Sequence, residues 1–131
     1  MVLDTSALLA IFLAEPERQP FLDLILKAET RMISAATVLE TGIVLEARRG
    51  ESAGREFDLF VVRANLRIVS VDSEQAEIAR SAWRKYGKGR HPAALNFGDC
   101  FAYALAKSAG EPLLASGTDF AATDVELCAA I

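Results

Sequence analysis

Short apolar runs, each followed by a longer segment with helical spacing, recur from one end of this chain to the other. That alternation constrains the fold more than any other feature. Strands joined through helices run parallel, and a parallel sheet has to be covered on both faces. The strand candidates are Val2-Leu3, Arg31-Met32-Ile33, Arg67-Ile68-Val69-Ser70-Val71 and Pro112-Leu113-Leu114-Ala115, with Val125-Glu126-Leu127 as a fifth. Helices are expected over 6–14, 17–28, 36–49, 52–64, 74–86 and 98–109. The expected class is α/β, a three-layer α/β/α sandwich around a mainly parallel sheet of four or five strands.

The punctuation agrees with this pattern. Ser34 suits the start of the third helix and Gly50 its end; Asp72 or Ser73 suits the start of the fifth, Gly87 its end, and Gly110 the end of the last. Two glycines and a proline make Gly87-Lys88-Gly89-Arg90-His91-Pro92 the expected loop. With 131 residues, the chain fits one domain over 1–131. A hydrophobic fraction of 52% against 24% charged is the balance of a chain that buries a core rather than staying disordered.

Only Cys100 and Cys128 are present, without CxxC spacing, so neither a disulfide framework nor a structural zinc site is indicated. No apolar stretch approaches the ~20 residues that span a bilayer, and no basic segment with an apolar run opens the chain. The expectation is a cytoplasmic protein with no membrane partner. A net charge of -4 argues against indiscriminate wrapping of nucleic acid. Yet between Glu77 and Asp99 there is no acid, while Arg80, Arg84, Lys85, Lys88 and Arg90 all fall there. A local phosphate-facing patch is compatible with the acidic total.

In an open parallel sheet, ligands bind beyond the carboxyl ends of the strands. Asp4 follows the first strand, Glu40 lies early in the helix after the second, Asp99 opens the last long helix and Asp119 follows the fourth strand. Glu40 has Ala36, Ile43, Val44 and Ala47 at helical spacings, an apolar stripe that predicts partial burial. Asp99 has Ala102, Tyr103 and Ala106 at the corresponding positions. Each carboxylate has an ordinary alternative: Asp4 and Asp99 as helix caps, Asp119 as a turn residue, Glu40 as half of an ion pair. Two carboxylates ~4 Å apart would repel by about 4 kcal/mol at an effective dielectric of ~20. Four on one edge therefore call for a cation, and hard oxygen ligands suit Mg²⁺ or Mn²⁺.

The remaining conspicuous residues are read more plainly. His91 is expected at the surface or against substrate, Trp83 in packing, the two cysteines as small apolar residues, and Asp124 in a loop or cap.

Three segments, Met1-Val2-Leu3-Asp4-Thr5-Ser6-Ala7, Leu95-Asn96-Phe97-Gly98-Asp99-Cys100-Phe101-Ala102-Tyr103-Ala104-Leu105-Ala106 and Leu113-Leu114-Ala115-Ser116-Gly117-Thr118-Asp119-Phe120, resemble the PIN-domain family, particularly VapC toxins. The resemblance spans essentially the whole chain. It implies that Asp4, Glu40, Asp99 and Asp119 hold one or two Mg²⁺ or Mn²⁺ ions, with Ser6 as a supporting hydroxyl. It further implies an endoribonuclease leaving 5′-phosphate and 3′-hydroxyl ends, a homodimer, and a VapB-like antitoxin as inhibitor. Family members often carry a bulkier or basic residue and an Asn or Asp where this chain has Ser116 and Thr118. Two-histidine acid–base cleavage is excluded because His91 is the only histidine. A catalytically silent PIN-like module binding RNA or protein is the alternative, and its sign would be a lost carboxylate. A Mg²⁺-dependent phosphatase would carry a D-x-D after the first strand, where this chain has Asp4-Thr5-Ser6.

Overall fold

The structure, a computed structural model, describes residues 1–128. In chain order its elements are β1 (Val2–Leu3), α1 (Thr5–Phe12), α2 (Arg18–Lys27), β2 (Met32–Ser34), α3 (Ala35–Arg49), α4 (Glu51–Arg63), β3 (Arg67–Val69), α5 (Ser73–Tyr86), α6 (Phe97–Ala109), β4 (Leu113–Leu114) and a 3₁₀ turn, Phe120–Ala122. The strands pair in the order β3-β2-β1-β4, every pair parallel. The expected fifth strand is reduced to one parallel bridge between Leu127 and Leu113. The third strand stops at Val69, two residues short of expectation, because Asp72 already caps α5 by accepting from the Gln75 N–H.

Alternation along the short strands sends neighbouring side chains to opposite faces. Leu3, Ile33 and Leu114 enter one apolar cluster with Leu8, Ile11, Ile25, Leu45, Phe57 and Val61 from α1 to α4. Val2 and Leu113 enter another with Ala79, Ala82, Ala102, Leu105 and Ala106 from α5 and α6. These two clusters are the outer interfaces of the α/β/α sandwich. Leu3, Leu8, Ile33 and Leu114 are essentially sealed from solvent, each burial contributing about 1.5–3 kcal/mol.

Local chemistry explains most helix ends. Ser34 accepts from the Ala36 N–H at the start of α3. Gly50, at φ +83°, lets the chain leave α3 and enter α4 without an intervening loop. Pro20 is tolerated in α2 because it lies in the first turn, where backbone donors have no helical partner. The segment from Gly87 to Pro92 is the expected loop, but a tied one: Lys88 donates to the Leu95 carbonyl and Leu95 to that of Tyr86. Among the described residues, no helix is long and apolar enough to cross a membrane.

Candidate active site

The connections run from β1 through β2 to β3 in one direction, and β4 then pairs on the other side of β1. The reversal of strand order lies between β1 and β4, and a crevice opens beyond the carboxyl ends of strands at such a point. Asp4 follows β1 directly, and the loop from Ala115 to Asp119 follows β4. Glu40 projects from the second turn of α3, and Asp99 is the third residue of α6.

Asp4 is 2% exposed. Its Oδ2 accepts from the Ser6 N–H at 3.0 Å and from the Ser6 hydroxyl at 2.7 Å, so it caps α1. The Ser6 Oγ in turn accepts from the Ser116 N–H at 2.9 Å. One hydroxyl therefore ties the end of β1 to the loop after β4. The Thr5 hydroxyl donates to Glu40 Oε1 at 2.5 Å, which links the same turn to α3. Asp99 sits in a capping box: the Asn96 side chain accepts from the Asp99 N–H at 2.9 Å, and Asp99 Oδ2 accepts from the Asn96 N–H at 3.0 Å. Asp119 is exposed at the start of the 3₁₀ turn and makes no capping bond.

The electrostatics connect these groups. Burial, aided by the charges of Asp99 and Glu40, raises the Asp4 pKa from 3.8 to about 6 against the lowering effect of the Ser6 hydrogen bonds. Asp99 is also raised, chiefly by burial, with Asp119 and Glu40 adding repulsion. None of the salt bridges among the described residues includes any of the four carboxylates. As they stand, no three His, Cys, Asp or Glu side chains among the described residues converge on one ion-sized point. Local donors hold one oxygen each of Asp4, Glu40 and Asp99, and those bonds leave the second oxygen of each uncommitted.

The PIN domain family profile matches residues 1–126 of this chain. The chain belongs to the PIN-domain family. This PIN domain is 53% identical over 125 residues to Ribonuclease VapC of Mycolicibacterium smegmatis, covering 95% of this chain and 97% of that one. It is 51% identical over 125 residues to Ribonuclease VapC30 of Mycobacterium tuberculosis, covering 95% of each. Among solved structures it is similar to Mycobacterium tuberculosis VapC20, described as a Sarcin-Ricin loop cleaving toxin, with a TM-score of 0.76 at 21% identity over 95% of both chains. VapBC2 from Rickettsia felis, bound to a DNA fragment from its promoter, gives 0.75 at 14% identity over 97% of this chain and 96% of that one. The solved structures at these identities establish the α/β/α fold.

Several side chains of the PIN domain behave differently from their sequence readings. The buried face of α3 is Thr37, Thr41 and Leu45, whereas Ile43 is 58% exposed and Ala47 is exposed too. Glu40 is half-buried because it borders that polar-lined face, not because an apolar stripe covers it. Trp83 is 43% exposed and carries the Arg90 guanidinium 4.2 Å from its ring centre, so it is no core residue. His91 packs edge-on against Tyr86, and its Nδ1 accepts from the Ala93 N–H, which pins the loop. Asp124 does lie in a loop, as expected, where it accepts from the Tyr103 hydroxyl and from Lys107 and fastens the chain after the 3₁₀ turn to α6.

Three contributors escaped the sequence reading. Thr5 orients Glu40, Asn96 orients Asp99, and Gly98 gives Glu40 room, since a Cβ there would fall 2.1 Å from Glu40 Oε2. The Asn96-x-x-Asp99 spacing was a readable capping signal. The clearance at Gly98 depends on α3 and α6 meeting, and nothing local announces it.

Proposed function

We propose that this PIN domain is a divalent-metal-dependent endoribonuclease, the toxin component of a VapBC-type toxin–antitoxin system. The observation that carries the reading is Asp4: a carboxylate almost wholly buried, pressed by the charges of Asp99 and Glu40, with no salt-bridge cation beside it among the described residues. Such an arrangement is costly unless positive charge arrives. All the donor atoms are hard carboxylate oxygens, which fit Mg²⁺ or Mn²⁺. Relatives at 53% and 51% identity carry the name ribonuclease VapC, which supplies RNA as the substrate class.

In this reading Asp4, Glu40 and Asp99 are the principal ligands for one or two ions. Asp119, at the rim and electrostatically joined to Asp99, completes the set. When bound, the metal supplies Lewis-acid activation of water and offsets negative charge on the phosphate. The chain's own part is orientation. Ser6 fixes Asp4 and the loop after β4, Thr5 fixes Glu40, and Asn96 fixes Asp99 through its backbone N–H. Holding each carboxylate by one oxygen leaves the other free to hold a metal ion.

A VapB-like antitoxin is the expected inhibitor, a homodimer the expected assembly, and the cytoplasm the expected location. Cys100 and Cys128 as free thiols suit a reducing compartment. Sequencing RNA ends after induced expression, beside an Asp99→Asn control, tests the activity. New 5′-phosphate ends only with the wild-type chain are expected; identical ends in both would refute it.

A further inference from the structure

Between α5 and α6 lies a cavity of about 650 Å³ whose lining includes Ala76, Arg80, Trp83, Lys88, Phe97 and Phe101. Its aromatic members are unusually open. Phe97 is 81% exposed and stands edge-on to Phe101 at 4.9 Å between ring centres. Trp83 is half exposed under Arg90. Arg80, Lys88 and Arg90 are exposed, and no acid occurs between Glu77 and Asp99. Asn96, the residue that orients Asp99, also lines the cavity, so the groove and Asp99 share the first turn of α6.

We propose that this groove is a base subsite: an unpaired nucleotide adjoining the scissile phosphate lays its base against Phe97, facing Trp83, while flanking phosphates lie along Arg80 and Lys88. The inference rests on the ribonuclease reading and deepens it. Aromatic faces beside fixed cations are what single-stranded nucleic acid requires, because every base has a π-face and every linkage a negative charge. Charge complementarity selects this occupant over a second copy of the chain. A symmetric contact through this face would set its own cations against one another. The shared first turn of α6 selects it over a protein segment, since a strand with its scissile phosphate at Asp99 has Phe97 two residues away.

Trp83 is the only tryptophan, so its fluorescence reports the groove directly. The test adds single-stranded oligoadenylate and oligouridylate decamers to the full chain with chelator present, and follows cleavage of the same strands with Mn²⁺. Quenching of Trp83 is expected, with roughly tenfold weaker binding in Phe97→Ala, the worth of one base–aromatic stack, and recovery in Phe97→Tyr. An oligomer of abasic ribose phosphates is expected to bind wild type and Phe97→Ala alike. Phe97→Ala binding and quenching like wild type while RNA is still cleaved would overturn the subsite and leave the ribonuclease reading standing. Wild type that neither binds nor cuts RNA would overturn both. Quenching by an acidic apolar peptide but not by RNA, or a Phe97→Ala chain that only loses self-association, would overturn the subsite in favour of a protein occupant.

Discussion

At the scale of single residues, Asp4 combines two roles that the sequence presents as rivals. It caps α1 through the Ser6 N–H and is also the most deeply buried of the four carboxylates. The cap is present, and the proposed site role is compatible with it, because the cap uses one carboxylate oxygen and leaves the other for a metal. Its raised pKa has a consequence for stability. Between the unfolded value of 3.8 and about 6, the unfolded chain releases this proton before the folded one does. Rising pH therefore removes up to about 3 kcal/mol of stability from the metal-free protein across that window, and the loss is complete above it. In chelator, Asp4→Asn is expected to be the more stable protein at pH 7.5, with the gap closing as pH falls to 4. Denaturant titration at both pH values checks this, and a gap independent of pH would contradict it. Ser6→Ala removes the bond that joins Asp4 to the Ser116 loop. A loss of about 1–2 kcal/mol is expected in the same titration, together with reduced cleavage.

At the scale of elements, the active geometry comes from how α3, α6 and the turn after β1 meet. Gly98→Ala suits a helix, yet its Cβ would occupy the space of the Glu40 carboxylate. The variant is expected to melt within a few degrees of wild type while cleaving about a hundredfold more slowly, the scale of a 1 Å misplacement. Unchanged cleavage would show that Glu40 takes no part. Asn96→Ala removes the capping box of α6 and is expected to cost about 1 kcal/mol, measurable by thermal melting. Helix ends such as Ser34, Gly50 and Asp72 were legible because a cap is chemistry between near neighbours. The exposure of Ile43 and Trp83 was not, since both occupy helical spacings that look like core until the partner helices are placed. β3 shows the same limit. Its apolar letters run to Val71, but it is an edge strand with Ile68 52% exposed, and the next helix cap ends it early.

At the scale of the whole molecule, the alternation of strands and helices was enough to give a parallel, doubly covered sheet, and the period-two split of Leu3 from Val2 assigns them to opposite faces. The strand order was not legible, because placing β4 beside β1 is settled by crossover packing rather than by any local signal. That order creates the crevice and draws together carboxylates separated by up to most of the chain. Their mutual repulsion is the basis on which divalent-cation binding is proposed. Mn²⁺ at ~100 times its dissociation constant is expected to add about 2.7 kcal/mol to stability, seen as a rise in melting temperature that chelator reverses and Asp99→Asn diminishes.

We propose that Asp4, Glu40, Asp99 and Asp119 form one metal-dependent ribonuclease centre. Cleavage of a purified RNA, titrated with Mn²⁺ after rigorous chelation, for wild type beside Asp4→Asn and Asp99→Asn, tests it most directly. The expected result is no cleavage without metal, saturable recovery in the wild-type chain, and none in either variant. Cleavage persisting after metal removal, or full activity in Asp99→Asn, would contradict it.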